Sequence, residues 1–142
     1  MFKRIVMISV LAAVALFVVI QLLPIGRAEA NPAVVREPAW DAPATRALAV
    51  RACYDCHSSE TVWPWYSKIA PASWLLTKDV IEARDAFSFS HWTPGDMRPE
   101  KAARIVRERG MPPSRYLMLH PEARLTDAEI EALAVGLQQS LK

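Results

Sequence analysis

Both cysteines of this chain lie in one pentapeptide, Cys53-Tyr54-Asp55-Cys56-His57. Thiols at i and i+3 emerge from one side of a helical turn, where each can form a thioether to a vinyl group of haem while the adjacent imidazole meets the iron. As a neutral ligand, His57 would coordinate through one ring nitrogen and donate from the other to a carbonyl, with Pro64 or Pro71 as the expected source. Three plainer chemistries compete. A thioredoxin-type redox pair needs a βαβ context, and no strand pattern surrounds the motif. A structural zinc site needs about four ligands, and only His91 and His120 remain, at a spacing that fits no zinc template. A local disulfide would leave the adjacent histidine unexplained. Haem is the reading that uses all the residues of the motif.

A sixth ligand is sought among the remaining soft and imidazole donors. Met111 follows Gly110 and precedes Pro112-Pro113, so its thioether sits on a loop released from a helix by glycine and fixed by two proline rings. It is the preferred distal ligand, with His91 and His120 as rivals that would make a bis-histidine centre. Met97 and Met118 read as core fillers. Met/His ligation fills both axial sites, which favours electron exchange over substrate binding. Arg98, Arg104, Arg107, Arg109, Arg115 and Arg124 are candidate partners for the haem carboxylates.

The elements that must hold these residues are helical. Thr45–Ala52 reads as a helix running straight into the motif. Glu60–Pro71, with Trp63-Pro64-Trp65-Tyr66, reads as an aromatic loop, either core packing or the wall of a porphyrin pocket. Ala72–Phe87 reads as a second helix with Trp74, Leu75, Ile81 and Ala86 inward and Lys78, Asp79, Glu82, Arg84 and Asp85 mostly outward. Phe87, Phe89 and Trp92 form an aromatic connection. A third helix, Pro99–Arg109, is expected to end on Gly110 as a left-handed cap. Thr126-Asp127-Ala128-Glu129 is a capping box opening a fourth, with Ile130, Leu133, Ala134, Leu137 and Leu141 on its inner stripe. No segment reads as a strand, so the expected class is all-α.

The 142 residues are 52% hydrophobic, but Ile5–Leu23 holds 19 residues with Ser9 and Gln21 as the only polar ones. Such a run is a membrane or export segment, and Lys3 and Arg4 ahead of it place the N-terminus in the cytoplasm. Residues 1–30 are therefore expected as an anchor or signal, 31–43 (with Pro32, Pro38 and Pro43) as an extended linker, and 44–142 as one domain. An uncleaved anchor is favoured by length, while Ala28-Glu29-Ala30 keeps a cleaved, soluble periplasmic form open. Without residues 1–30 the chain carries 14 basic and 14 acidic side chains. That neutrality leaves no electrostatic footprint for nucleic acid.

Cys53-Tyr54-Asp55-Cys56-His57-Ser58, Trp63-Pro64-Trp65-Tyr66-Ser67, Ile69-Ala70-Pro71, Met111-Pro112-Pro113 and Leu119-His120-Pro121-Glu122-Ala123 occur in order. Over residues 44–142 this set resembles the bacterial haem-binding domain family of small membrane-anchored monohaem proteins. The resemblance implies a cytochrome c-like helical fold wrapped around one covalent haem c, thioethers at Cys53 and Cys56, His57 as proximal ligand and Met111 as distal ligand. The expected role is one-electron transfer rather than enzymatic catalysis. The expected setting is the bacterial inner membrane with the haem domain facing the periplasm. Expected partners are periplasmic or membrane redox proteins and the haem attachment machinery. A haem sensor or peroxidase-like enzyme with an open sixth site, and a haem subunit of a larger membrane redox complex, are the alternatives.

Overall fold

The computed structural model describes residues 1–26 and 31–142. The Ala28-Glu29-Ala30 pattern and Arg27 lie outside the described residues. Among those described the chain is all-helical, with no strand and a single isolated parallel bridge between Arg36 and His91. Two compact units form, one from Met1–Glu29 with Trp63–Asp79, the other from Ala30–Val62 with Val80–Lys142.

The first unit is built on α1, Phe2–Leu22, an apolar helix with no buried residue. Its 21 residues reach about 30 Å at 1.5 Å per residue, the thickness of a bilayer core. A turn at Gly26 follows, with φ +65, and a Cβ there would lie 2.6 Å from the Trp74 Cα, so only glycine fits. Trp65–Lys68 is a single 3-10 turn that buries Ser67 and turns Trp65 outward, 77% exposed. Core packing, one expectation for this loop, does not apply to Trp65.

Helix α4, Ala72–Ala86, passes from the first unit into the second. Its buried residues are Ser73, Thr77 and Val80, whereas Leu75 and Ile81 are exposed. The inward stripe is thus phased on small polar residues, not on the Trp74-Leu75-Ile81-Ala86 set expected from hydrophobicity. Burial of a hydroxyl is tolerable here because Thr77 Oγ1 donates to the Gly26 carbonyl at 3.0 Å. Arg84 continues the same 73–77–80 stripe by one further turn.

The second unit holds α2 (Pro43–Ala52), α3 (Tyr54–His57), α5 (Pro99–Arg107), α6 (Ser114–Leu119) and α7 (Asp127–Ser140). Pro43 sits in the first turn of α2, where its missing N–H costs nothing. Helix α7 opens on the reciprocal Thr126–Glu129 capping box and packs against α5 and α2. Ala49, Tyr54, Phe89, Trp92, Ala102, Val106, Leu133, Leu137 and Leu141 form the core. Where α2 meets α7, a Cβ on Gly136 would lie 2.3 Å from Thr45 Oγ1, so glycine sets the closeness of the approach.

Helix α5 ends two residues earlier than expected. Arg109, at φ +54, is the left-handed residue; its N–H bonds to Val106 O and that of Gly110 to Ile105 O. These paired bonds are a Schellman ending, with Gly110 one position beyond the left-handed residue. A Cβ on Gly110 would press on Ile105 Cγ2 at 3.3 Å, which accounts for the glycine without a left-handed backbone.

Residues 31–42 are extended, as a proline-rich stretch would be, and they are bonded along the second unit. Val35 and Arg36 N–H donate to Ser90 O, Trp92 N–H donates to Arg36 O, and Glu37 accepts from Trp40 and, in a fork, from Arg46.

Candidate functional site

Cys53 closes α2 with a non-helical backbone (φ −129, ψ −33) and caps α3, so the motif is a separate single turn rather than a continuation of α2. The N–H groups of Cys56 and His57 both donate to Cys53 O, at 3.2 and 2.9 Å. That turn sets the two cysteines and the histidine on one local scaffold. Neither cysteine is in a disulfide. Burial pushes the Cys53 thiol up to about 12, with Cys56 adding to the shift. A thiol held protonated is a poor redox nucleophile, which counts against a thioredoxin-type role. No zinc set is assembled either: among the described residues no three His, Cys, Asp or Glu side chains gather to hold a metal ion.

His57 is gripped twice by the segment after α4. Its backbone oxygen accepts from Phe89 N–H at 2.7 Å, and its Nδ1 lies 3.2 Å from Phe87 O. A carbonyl only accepts, so the neutral ring carries its proton on Nδ1 and leaves the Nε2 lone pair for a metal. Burial holds the imidazole below its usual range, against weaker opposing help from the Phe87 and Ala83 carbonyls. The orienting carbonyl therefore belongs to Phe87, and not to Pro64 or Pro71 as expected. The Phe87 ring also stacks on the imidazole, with centroids 4.5 Å apart and planes 19° from parallel. Behind it Phe87, Phe89, Tyr54 and Trp40 pack ring against ring at 5.0 to 5.3 Å. The aromatic connection thus forms the wall behind the histidine.

Arg84 secures the loop beyond the motif. Its guanidinium donates to Ser58 O and Thr61 Oγ1, each at 2.8 Å, and to Asn31 Oδ1 at 3.0 Å, while Thr61 Oγ1 donates to Asp55 O. Sequence reasoning placed Arg84 on the outer face; the inward stripe of α4, once phased on Ser73 and Thr77, is the signal that would have found it.

Asp55, between the cysteines, links the motif to the Met111 segment. Its Oδ1 accepts from Val62 N–H at 2.9 Å and its Oδ2 from the Tyr116 hydroxyl at 2.6 Å. Tyr116, on α6 just after Met111-Pro112-Pro113, was not singled out in the sequence. Its ring stacks on His120 at 4.2 Å and 9°, and His120 Nδ1 meets Glu122 Oε1 at 3.0 Å. Met111 is 41% exposed, and no residue of α6 is buried. Met118, expected in a core, lies 73% exposed on this six-residue helix, whereas Met97 packs against the core. His91 is exposed, its backbone engaged in the Arg36 bridge.

Three of the six candidate arginines are committed to carboxylates: Arg104 to Glu108, Arg107 in a fork to Glu131, and Arg109 to Asp127. Arg124 instead donates to Leu117 O on α6, at 3.3 Å.

These features fit a haem. They supply two cysteines outside any disulfide, a neutral imidazole oriented through Nδ1, and a helix whose Leu117, Met118 and Leu119 are not buried. The profile of the haem-binding domain family matches residues 15–139, nearly the whole chain. The chain belongs to the haem-binding domain family. No curated protein and no solved structure matches it. The match of this haem-binding domain begins inside α1, so it includes the end of the apolar helix as well as the motif.

Proposed function

We propose that this haem-binding protein is a monohaem c-type cytochrome, held by α1 in the inner membrane with its haem domain in the periplasm, that passes single electrons between redox proteins. The observation that carries the reading is His57 in a C-x-x-C-H turn, with Nδ1 on the Phe87 carbonyl and Nε2 left for iron. Cys53 and Cys56 would hold haem c through thioethers, and His57 would be the proximal ligand. When bound, the haem supplies a one-electron iron couple. The chain's own contribution would be to hold the imidazole against Phe87 and to keep the Met111–Leu119 segment beside the motif through the Tyr116–Asp55 bond. Were a second side chain to bind the iron beside His57, substrates would be kept from the metal, which would separate an electron carrier from the peroxidase-like or sensor alternative.

Met111 is the proposed sixth ligand. A second reading, His120, is favoured by one observation: its Nδ1 is oriented by Glu122, the carboxylate–imidazole arrangement that prepares a histidine to bind metal. Near-infrared spectroscopy of the oxidised protein separates the two, because thioether-to-iron charge transfer is absent from a bis-histidine centre. Loss of that band in Met111→Ala supports methionine; its absence from the native protein assigns the position to histidine.

A further inference from the structure

We propose that the Trp63–Asp79 segment is an interfacial seat, which sets Trp65 and Leu75 into the phospholipid headgroup layer of the bilayer that α1 spans. The inference rests on α1 being a retained membrane anchor.

The placement follows from contacts within the first unit. Gln21 is next to last in α1, at the end where the apolar run meets water. Its side-chain amide pairs with the backbone of Ala70 in both directions: Nε2 donates to Ala70 O at 3.0 Å and Oε1 accepts from Ala70 N–H at 2.9 Å. The Gly26 turn is seated on Trp74 and accepts from Thr77. A segment bonded to the exit residue of a membrane helix lies at the depth of the headgroups.

What the segment exposes suits that layer. Trp65 is 77% and Leu75 63% exposed, with Ile69 partly exposed between them and Lys68 exposed beside them. Tryptophan and a basic residue at the rim of a hydrophobic span are interfacial anchors: the amphipathic ring sits at headgroup level and the ammonium meets phosphate. A cavity of about 280 Å³ opens at the same place, lined by Ile20, Leu23 and Ile25 on one side and Ser67, Lys68 and Trp74 on the other. Trp74 lines it, and its buried indole Nε1 has no acceptor among the described residues. A phospholipid supplies what this lining lacks, phosphate and ester oxygens beside an acyl chain.

The test uses the haem-loaded full chain reconstituted in phosphatidylethanolamine and phosphatidylglycerol vesicles that carry a photoreactive diazirine near the glycerol backbone. After illumination, peptide mass mapping locates the lipid adducts. Adducts on both the 1–23 and the 63–79 peptides are expected, and a Trp65→Ser/Leu75→Ser double variant should lower the latter several-fold while leaving the former unchanged. Adducts confined to 1–23 would overturn the seat and leave the anchor standing. Adducts on neither would overturn the anchor, and the seat with it.

Discussion

The Tyr116 hydroxyl donates to Asp55 Oδ2 at 2.6 Å, joining the helix that follows Met111 to one of the two residues between the cysteines. This bond ties the two halves of the proposed haem site together across 61 positions of sequence. Tyr116→Phe keeps the ring and its stack on His120 and removes only the bond. Hydrogen bonds to charged groups contribute about 1.5–3 kcal/mol, so thermal unfolding should show a loss of that order. The variant should also loosen the sixth ligand, seen as a lower reduction potential and partial binding of small ligands to the reduced iron. An unchanged potential would confine Tyr116 to a structural role.

The thioether assignment predicts graded behaviour at the cysteines. Cys53→Ala or Cys56→Ala should each retain haem through one bond, whereas the double variant should release its haem on a denaturing gel stained for haem. His57→Ala should abolish normal haem incorporation. A native spectrum from that variant would contradict the proximal assignment.

What the sequence made legible was governed by local rules, and what it hid was governed by tertiary ones. The capping box at Thr126, the inner stripe of α7, Pro99 in the first turn of α5, and the apolar span of α1 all follow from neighbouring residues, whereas Pro43, read as the end of the linker, opens α2. The phase of α4 did not, because Ser73 and Thr77 are buried through partners and packing distant in sequence, while Leu75 is left exposed. The same displacement concealed Arg84. The motif's chemistry could be read from five consecutive residues, but its supports at Phe87, Arg84 and Tyr116 are respectively 30, 26 and 61 positions from the residues they hold. The Schellman ending of α5 put Arg109, not glycine, in the left-handed position, because the helix ends at Arg107, two residues before the expected boundary.

Gly136 offers a test of packing against propensity. Glycine to alanine inside a helix ordinarily gains about 1 kcal/mol. Here the new methyl would lie 2.3 to 2.4 Å from Thr45 Oγ1 and Cγ2, so overpacking should win and cost about 1–3 kcal/mol. Thr45→Ala in the Gly136→Ala background should recover part of that loss. Denaturant unfolding of the four forms gives the coupling directly; additive effects would mean that the α2–α7 contact is looser than described.

Glu37 carries a pH dependence of defined sign. The hydrogen bond from Arg46 holds its carboxyl below the usual glutamate range, with burial opposing and Trp40 assisting. A carboxyl depressed in the folded state stabilises fully above its unfolded value of about 4.3 and loses that contribution as pH falls through the folded value. Thermal melts should therefore show acid destabilisation from about pH 4.3 downward, with a shallower slope in Glu37→Gln. Parallel slopes for the two proteins would remove Glu37 from the account.

The central claim is a covalent haem with both axial positions filled by the chain. Optical spectra of the purified protein, oxidised and reduced, with carbon monoxide added to the reduced form, test it most directly. A six-coordinate c-type spectrum that the gas leaves unchanged is the expected result. Immediate formation of the carbon monoxide adduct would contradict it, and would make an open-site sensor or peroxidase-like enzyme the better description.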